Sequence, residues 1–325
     1  MMTVIPPRFK GRLRKFNKRL QTEWYIDYSS DYRDAVFLAG VSRSGTTWLS
    51  DVLNYKNQYR YMFEPFYPKE VELCQNLDPK QYLAEDSKDE KFLEIANQVL
   101  SGNVRSYWAD RFNAKSVSNR RLIKAIRANL FLKWLHKNFP ELPIIFLIRH
   151  PVAVAVSKVK LDWQRSLDKY LRQADLMNDF LYPFKDEIVR SEEQYKQSGN
   201  TFENHIFSWC IENYVPLKQF RPDEMHIVFY ENCCTDPESE TRRLFSYLGQ
   251  NYDESILDKI NSASKLSRKD SAINTGKNLV SSWQKHVTDV QMKRAIEILE
   301  LFNLNQIYSS EPMPCKENLS RLMRS

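Results

Sequence analysis

Two segments of this 325-residue chain carry side chains suited to holding anions. The first runs Gly40-Val41-Ser42-Arg43-Ser44-Gly45-Thr46-Thr47-Trp48. Its two glycines have the spacing of the GxxxxGK[ST] phosphate loop. In such a turn the backbone N–H groups and the N-terminus of the following helix converge on an anion. The chain has only 7 glycines, so two in one loop carry information. The lysine that reaches the β/γ-phosphates in kinases and GTPases is absent, and Thr46 stands there, which argues against triphosphate chemistry. Arg43 enters from the first half of the loop instead.

The second segment is Arg149-His150-Pro151, with Ser157 two helical turns further on. It follows an apolar run. An arginine at the carboxyl end of a strand lies where ligands bind in open α/β sheets. A serine on the next helix can donate a hydrogen bond to the same anion.

These segments need strands to carry them. Residues 35–39 form a short apolar run ending in Gly40 and read as a buried strand, followed by a helix over 46–54. Residues 59–63 are a second strand candidate. The polar stretch 74–120 contains a helical pattern near 91–100, and 128–138 has helical periodicity. The continuous apolar run 143–148 reads as a strand buried on both faces, and the next helix has Pro151 in its first turn. Residues 163–200 are polar and weakly patterned. A helix over 203–219, a strand over 225–229, a helix over 238–248, a polar loop over 261–282 and a helix over 288–302 complete the pattern. Strands alternating with helices predict an α/β fold, a P-loop-like sandwich with a central parallel sheet flanked by helices. One domain is expected over 31–310, after an arm at 1–30 and before a tail at 311–325, with 163–200 as an insertion or substrate-side lid.

Composition narrows the function classes. Hydrophobic residues make up 42% and aromatics 13%, a globular balance. The formal net charge is +7, but residues 1–22 alone hold seven basic side chains and no acid, so the body is neutral. A nucleic-acid-binding face is therefore not expected. In the arm, Phe9, Leu13, Phe16 and Leu20 lie on one helical face. Two readings stand: a helix docked on the body, or residues 5–20 as an interfacial helix on an anionic membrane. Cys74, Cys210, Cys233, Cys234 and Cys315 are odd in number and lack a CxxC pair, which fits a reducing compartment. No apolar run approaches 18 residues, and the N-terminus lacks a signal-peptide core. The expected location is cytoplasmic, membrane-peripheral under the second reading of the arm, with a lumenal chain as the alternative. His136, His205, His226 and His286 show no metal-ligand spacing, and no metal is expected.

The segment 42–49 resembles the 5′-phosphosulfate loop of sulfotransferases that use 3′-phosphoadenosine 5′-phosphosulfate (PAPS), with a basic residue before Ser-Gly-Thr-Thr and Trp-Leu. Cytosolic members usually carry lysine at the Arg43 position, while tyrosylprotein and carbohydrate sulfotransferases often carry arginine. The resemblance implies that Arg43 meets the bridging oxygen and the sulfuryl group. It assigns Ser44, Gly45, Thr46 and Thr47 to the 5′-phosphate loop, and Trp48 to adenine. Arg149-His150-Pro151 with Ser157 resembles the family's 3′-phosphate site, where His150 replaces the usual Asp or Asn. Residues 228–232 with Asp236-Pro237, the helix running to Gly249, and Trp283 before the last helix extend the likeness over about 33–303. It implies that the loop 262–282 closes over the product PAP, with Lys277 reaching the 3′-phosphate.

Sulfuryl transfer to a hydroxyl needs a base for the acceptor proton and cations for the charge that grows on the leaving phosphate; a metal is not required. Glu64, in Phe63-Glu64-Pro65-Phe66, is the candidate base. It follows a predicted strand, and carbohydrate members show a similar Phe/Leu-x-Glu-Pro. An aromatic setting of Phe63, Phe66 and Tyr67 would raise its pKa. Lys124 resembles the family lysine that stabilises the transferring group. The histidine base that cytosolic members place two residues later is Ile126 here. Arg127 and Phe66 are substrate-side candidates. The expected acceptor is a carbohydrate hydroxyl on a glycan or glycolipid. Two other readings are a nucleotide kinase using the same loop, and a non-catalytic PAP-binding scaffold at a membrane.

Overall fold

The computed structural model describes residues 25–260 and 278–323. Lys277, the arm up to residue 24 and most of the loop expected at 261–282 lie outside the described residues.

The chain forms β1 (Ile26–Asp27), β2 (Ala35–Gly40), α1 (Thr46–Leu53), β3 (Arg60–Phe63), α2 (Glu90–Leu100), β4 (Val117–Ser118) and β5 (Arg121–Ala125). It continues with α3 (Leu132–Asn138), β6 (Ile144–Ile148), α4 (Pro151–Val159), α5 (Lys185–Ser198), α6 (Phe202–Gln219), β7 (His226–Phe229), α7 (Tyr230–Thr235), α8 (Pro237–Tyr247) and α9 (Asp289–Leu301). Shorter helical turns join them. The main sheet has the order β3-β5-β2-β6-β7, with every neighbouring pair parallel. β1 and β4 make a separate two-residue pair.

Every residue of β2, β3, β5 and β6 is buried, as expected of parallel strands covered on both faces. Alternation then sorts the side chains. Phe37, Ile123, Phe146 and Ile148 point into one core, with Phe92, Trp134, Trp209 and Ile298 from α2, α3, α6 and α9. Val36, Leu38, Leu122, Ile145 and Val228 point into the other, with Leu49, Val52 and Leu53 of α1 and Leu244 and Phe245 of α8. The result is the expected three-layer sandwich.

Three sequence expectations change. β5 was not foreseen, because Arg121 and Lys124 interrupt its apolar pattern. Residues 163–200, expected to be weakly patterned and an insertion or substrate-side lid, are largely helical. They form turns at Asp168–Leu171 and Ala174–Leu176, a π-helical turn at Met177–Leu181 and the long helix α5. Leu167, Tyr170, Leu176, Leu181 and Ile188 are fully buried in the first core. The stretch after residue 310 is not a free tail, since Leu322 and Met323 pack into that core and Lys316 bonds Glu240 at 2.5 Å.

Candidate active site

The parallel sheet puts the carboxyl ends of all five strands on one edge. The chain leaves β2 for β3 and β5 on one side and for β6 and β7 on the other, so the crevice beside β2 is the switch point where such sheets bind ligands. The loops that begin there carry Arg43, Glu64, Arg127, Arg149 and Tyr230.

The β2–α1 loop is shaped by close backbone approach. A Cβ on Gly40 (φ 155°) would lie 2.6 Å from the Leu147 carbonyl oxygen of β6, and one on Gly45 (φ 105°) would lie 2.6 Å from the Tyr230 ring. Neither position accepts another residue without rearrangement. Gly45 caps α1 with no side-chain hydrogen bond, so the first-turn amides of that helix are open to an anion. Arg43 holds a positive φ of 72°, uncommon outside glycine. Its Nε donates to Ser157 Oγ at 3.0 Å. Arg149 Nη1 donates to the Arg43 carbonyl at 3.2 Å, and its guanidinium lies 4.2 Å above the Tyr230 ring. Arg149 Nε is buried without a partner among the described residues. The loop therefore brings Arg43, Gly45, Thr46, Thr47, Arg149 and Ser157 together. Trp48 adjoins them, edge-on to Tyr230, and its indole N–H donates to the Ile260 carbonyl at 3.1 Å. Ser44 departs from expectation. It is fully buried, and both its N–H and Oγ donate to the Val41 carbonyl, so its side chain braces the turn and does not face a ligand.

On the other side of the crevice, β3 and β5 pair Phe63 with Lys124. Glu64 sits just past β3 with φ 51°, a second non-glycine residue in the left-handed region. Its carboxylate accepts from Lys124 Nζ at 2.5 Å, Arg127 Nη1 at 2.9 Å and the Ile126 N–H at 3.1 Å. It is only 2% exposed. The expected aromatic setting is thus corrected: two cations and an amide face this carboxylate. The rings lie beyond them, with Lys124 Nζ 4.4 Å from the Phe63 centroid and the Arg127 guanidinium 3.7 Å from that of Tyr67. Burial pushes the Lys124 ammonium below its ordinary pKa, against the pull of Glu64. Phe66 is also corrected. It is buried among Phe37, Phe92 and Phe131, so it serves the core and presents no surface to a substrate.

Sequence reasoning missed the groups behind Arg149. His150 is the N-cap of α4: its Nδ1 accepts from the Val152 N–H at 3.2 Å, which is how it stands in for an Asp or Asn. With Nδ1 an acceptor, Nε2 carries the proton and donates to the Ser309 carbonyl at 3.1 Å. The ring stacks on Trp283, 4.3 Å between centroids. Burial lowers its pKa to about 3. Glu231, buried at the start of α7, accepts from the His150 N–H and from Tyr308 Oη, each at 2.8 Å. Trp209 Nε1 donates to the Arg149 carbonyl at 2.9 Å. Glu231 and Trp283 lie in segments that carry the family likeness, and His150 replaces its usual Asp or Asn; Trp209, Tyr308 and Ser309 gave no sequence signal. The described residues contain no cluster of His, Cys, Asp and Glu able to hold a metal ion, and no helix long and apolar enough to cross a membrane.

The nodulation protein NoeE of Sinorhizobium fredii is 29% identical over 131 residues, covering 39% of this chain and 31% of that protein, so the chain matches about a third of this relative's length. A sulfotransferase domain from the curacin biosynthetic pathway is similar at 16% identity and a TM-score of 0.46, over 82% of this chain and 96% of that one. The sulfotransferase domain of the Synechococcus PCC 7002 olefin synthase gives 19% identity and a TM-score of 0.45, over 83% and 94%. The model of the sulfotransferase family matches residues 35–254, which span the glycine loop, Glu64, Lys124, Arg149 and Ser157. The chain belongs to the sulfotransferase family.

Proposed function

We propose that this enzyme transfers a sulfuryl group from PAPS to a hydroxyl of a carbohydrate acceptor, with Glu64 as general base and without a metal. The observation that carries this reading is the meeting of two half-sites on one sheet edge. A cation-lined anion loop sits at the ends of β2 and β6, and a buried carboxylate sits at the ends of β3 and β5.

The residues fit the donor. The uncapped N-terminus of α1, with Thr46 and Thr47, suits the 5′-phosphate. Arg149, whose buried Nε has no partner within the described residues, and Ser157 suit the 3′-phosphate. Arg43, already hydrogen-bonded to Ser157, suits the bridging oxygen. Bound PAPS would supply an activated sulfuryl group. Glu64 would take the proton of the attacking hydroxyl as the new oxygen–sulfur bond forms and the bond to the phosphate oxygen breaks. Lys124, released from Glu64 as that carboxylate accepts the proton, would offer its charge to the transferring group. Arg127, 21% exposed at its side chain, is the cation of the pair that can reach an acceptor. The Phe63-Glu64-Pro65 element favours a sugar.

The test is calorimetric titration of PAP and of ATP without Mg²⁺, on wild type and Arg149→Ala. PAP should bind, and the variant should bind it at least about 10-fold more weakly, as expected for a lost charge-assisted hydrogen bond. A preference for ATP that needs Mg²⁺ would return the loop to a kinase. PAP binding with no turnover of labelled PAPS on any glycoside would leave a binding scaffold.

A further inference from the structure

Behind Arg43 lies a second set of buried charges that the proposed reaction does not use. Glu212, on α6 and fully buried, accepts from Lys80 Nζ at 2.5 Å, Tyr170 Oη at 2.5 Å and Arg165 Nη2 at 3.4 Å. Burial opposes its charge, but Lys80, Arg165 and Lys158 outweigh it and hold the carboxyl well below its ordinary range. Lys158, on α4 next to Ser157, is 1% exposed, and its Nζ has no hydrogen-bond partner among the described residues. Its charged neighbours are Arg165, Glu212, Lys80 and Arg43. Arg165 Nε is likewise buried and unpartnered.

One carboxylate thus faces four buried or half-buried cations, Lys80, Lys158, Arg165 and Lys169, and the donors unmatched among the described residues are Lys158 Nζ and Arg165 Nε. An ammonium taken out of water is costly, and burial together with the neighbouring cations pushes Lys158 well below its ordinary pKa despite Glu212; an anion arriving beside it would hold the proton there. The position is informative. Lys158 follows the serine bonded to Arg43. Lys80 also donates to the Ile126 carbonyl, while the Ile126 N–H binds Glu64. The cluster therefore links the nucleotide loop to the candidate base. Arg165, 15% exposed at its side chain, is the member that reaches the surface.

We propose that Lys158 and Arg165 form a second anion subsite, which takes an acidic group, a carboxylate or a sulfate, carried by the acceptor whose hydroxyl meets Glu64. The acceptor is then an acidic glycan. This inference rests on the acceptor lying on the Glu64 side.

The test titrates methyl glucuronide and methyl glucoside into the protein by calorimetry, with and without saturating PAP. Inorganic sulfate is run as a third arm. Wild type should bind the glucuronide about 10-fold or more tighter than the glucoside, the effect of a charge-assisted hydrogen bond. Lys158→Met should abolish that preference while the PAP affinity and the melting temperature hold. Arg165→Gln, a milder change, should weaken it in the same direction. Equal binding of the two sugars, binding of free sulfate alone, or a Lys158→Met protein that keeps the preference would each overturn the proposal. So would a Lys158→Met protein that loses PAP affinity, since the cluster would then serve the nucleotide. Failure of wild type to bind PAP would instead count against the donor, and the arm without PAP would still decide the subsite.

Discussion

β3 and β5 carry an ion cluster at each end, and the two clusters are built differently. At the amino ends, Arg60 faces Arg121 in register. Both are fully buried, and all three nitrogens of each guanidinium donate. Arg60 bonds Asp110 and the carbonyls of Gly102 and Val104. Arg121 bonds Asp27 and the carbonyls of Leu100, Ser29 and Asp31. At the carboxyl ends, Glu64 holds Lys124 and Arg127, but Arg127 is part-exposed and the carboxylate rides on a left-handed backbone. The first cluster is closed, with each cation tied to main chain on several sides, so no member can move without orphaning others. The second can open, because its cations share one carboxylate. Similar ion-pair chemistry thus locks the fold at one end of the sheet and leaves a site able to exchange partners at the other.

The largest effect should come from the closed end. Arg60→Met would strip the buried Asp110 of its counter-charge, leaving it only Asn113 Nδ2, and would leave the Gly102 and Val104 carbonyls to Arg105 alone, at a cost of about 3–5 kcal/mol. The thermal midpoint should fall by roughly 10 °C, read by calorimetry. An unchanged midpoint would mean that the cluster is not structural and that the contrast fails.

Glu64→Gln breaks the open end. The amide keeps an acceptor for Lys124 but cannot take a proton, so kcat should fall about 10²–10⁴-fold, measured with labelled PAPS and a glycoside acceptor. PAP affinity should stay within about twofold, since Glu64 touches none of the nucleotide-side groups. Its midpoint should drop far less than that of Arg60→Met. Full activity in the variant would remove Glu64 as the base and leave the pair a structural one.

The contrast also explains what could be read from the sequence. β2 and β6 were legible because strands buried on both faces read as unbroken apolar runs. β5 was not, because its ends belong to the two charge clusters, and Arg121 and Lys124 break the run. α5 was hidden for another reason: it buries little besides Ile188, Ser191 and Glu192, so its apolar stripe is too thin to stand out. In the site, the glycine loop and Arg149 are local motifs and could be found. Lys124 and Arg127 were singled out too, but their pairing with Glu64 and the Lys80–Lys158–Arg165–Glu212 cluster join segments far apart in the chain, and no spacing announces those contacts. Phe66 was misassigned because an aromatic residue beside a candidate base looks the same in sequence whether it lines a site or fills a core.

A smaller effect concerns the cap behind Arg149, where a neutral imidazole holds the start of α4. His150 caps α4 with one ring nitrogen and bonds Ser309 with the other, which works only for the neutral tautomer. Its folded pKa, about 3, lies below the 6.5 expected in the unfolded chain. The unfolded chain therefore takes up a proton as pH falls through 6.5, while the native protein resists until about 3. The stabilisation is complete above 6.5 and is lost as pH falls toward 3, at about 1.4 kcal/mol per pH unit, or roughly 2 kcal/mol by pH 5. His150→Asn keeps an N-cap acceptor and removes the titration. The variant should begin less stable at pH 7, having lost the stack on Trp283, yet lose less stability than wild type between pH 7 and pH 5 in denaturant unfolding. Parallel losses in the two proteins would mean that His150 is not held neutral. The cap beneath Arg149 would then tolerate a charge, and the contrast between a neutral cap there and the ionic cluster at Glu64 would fall.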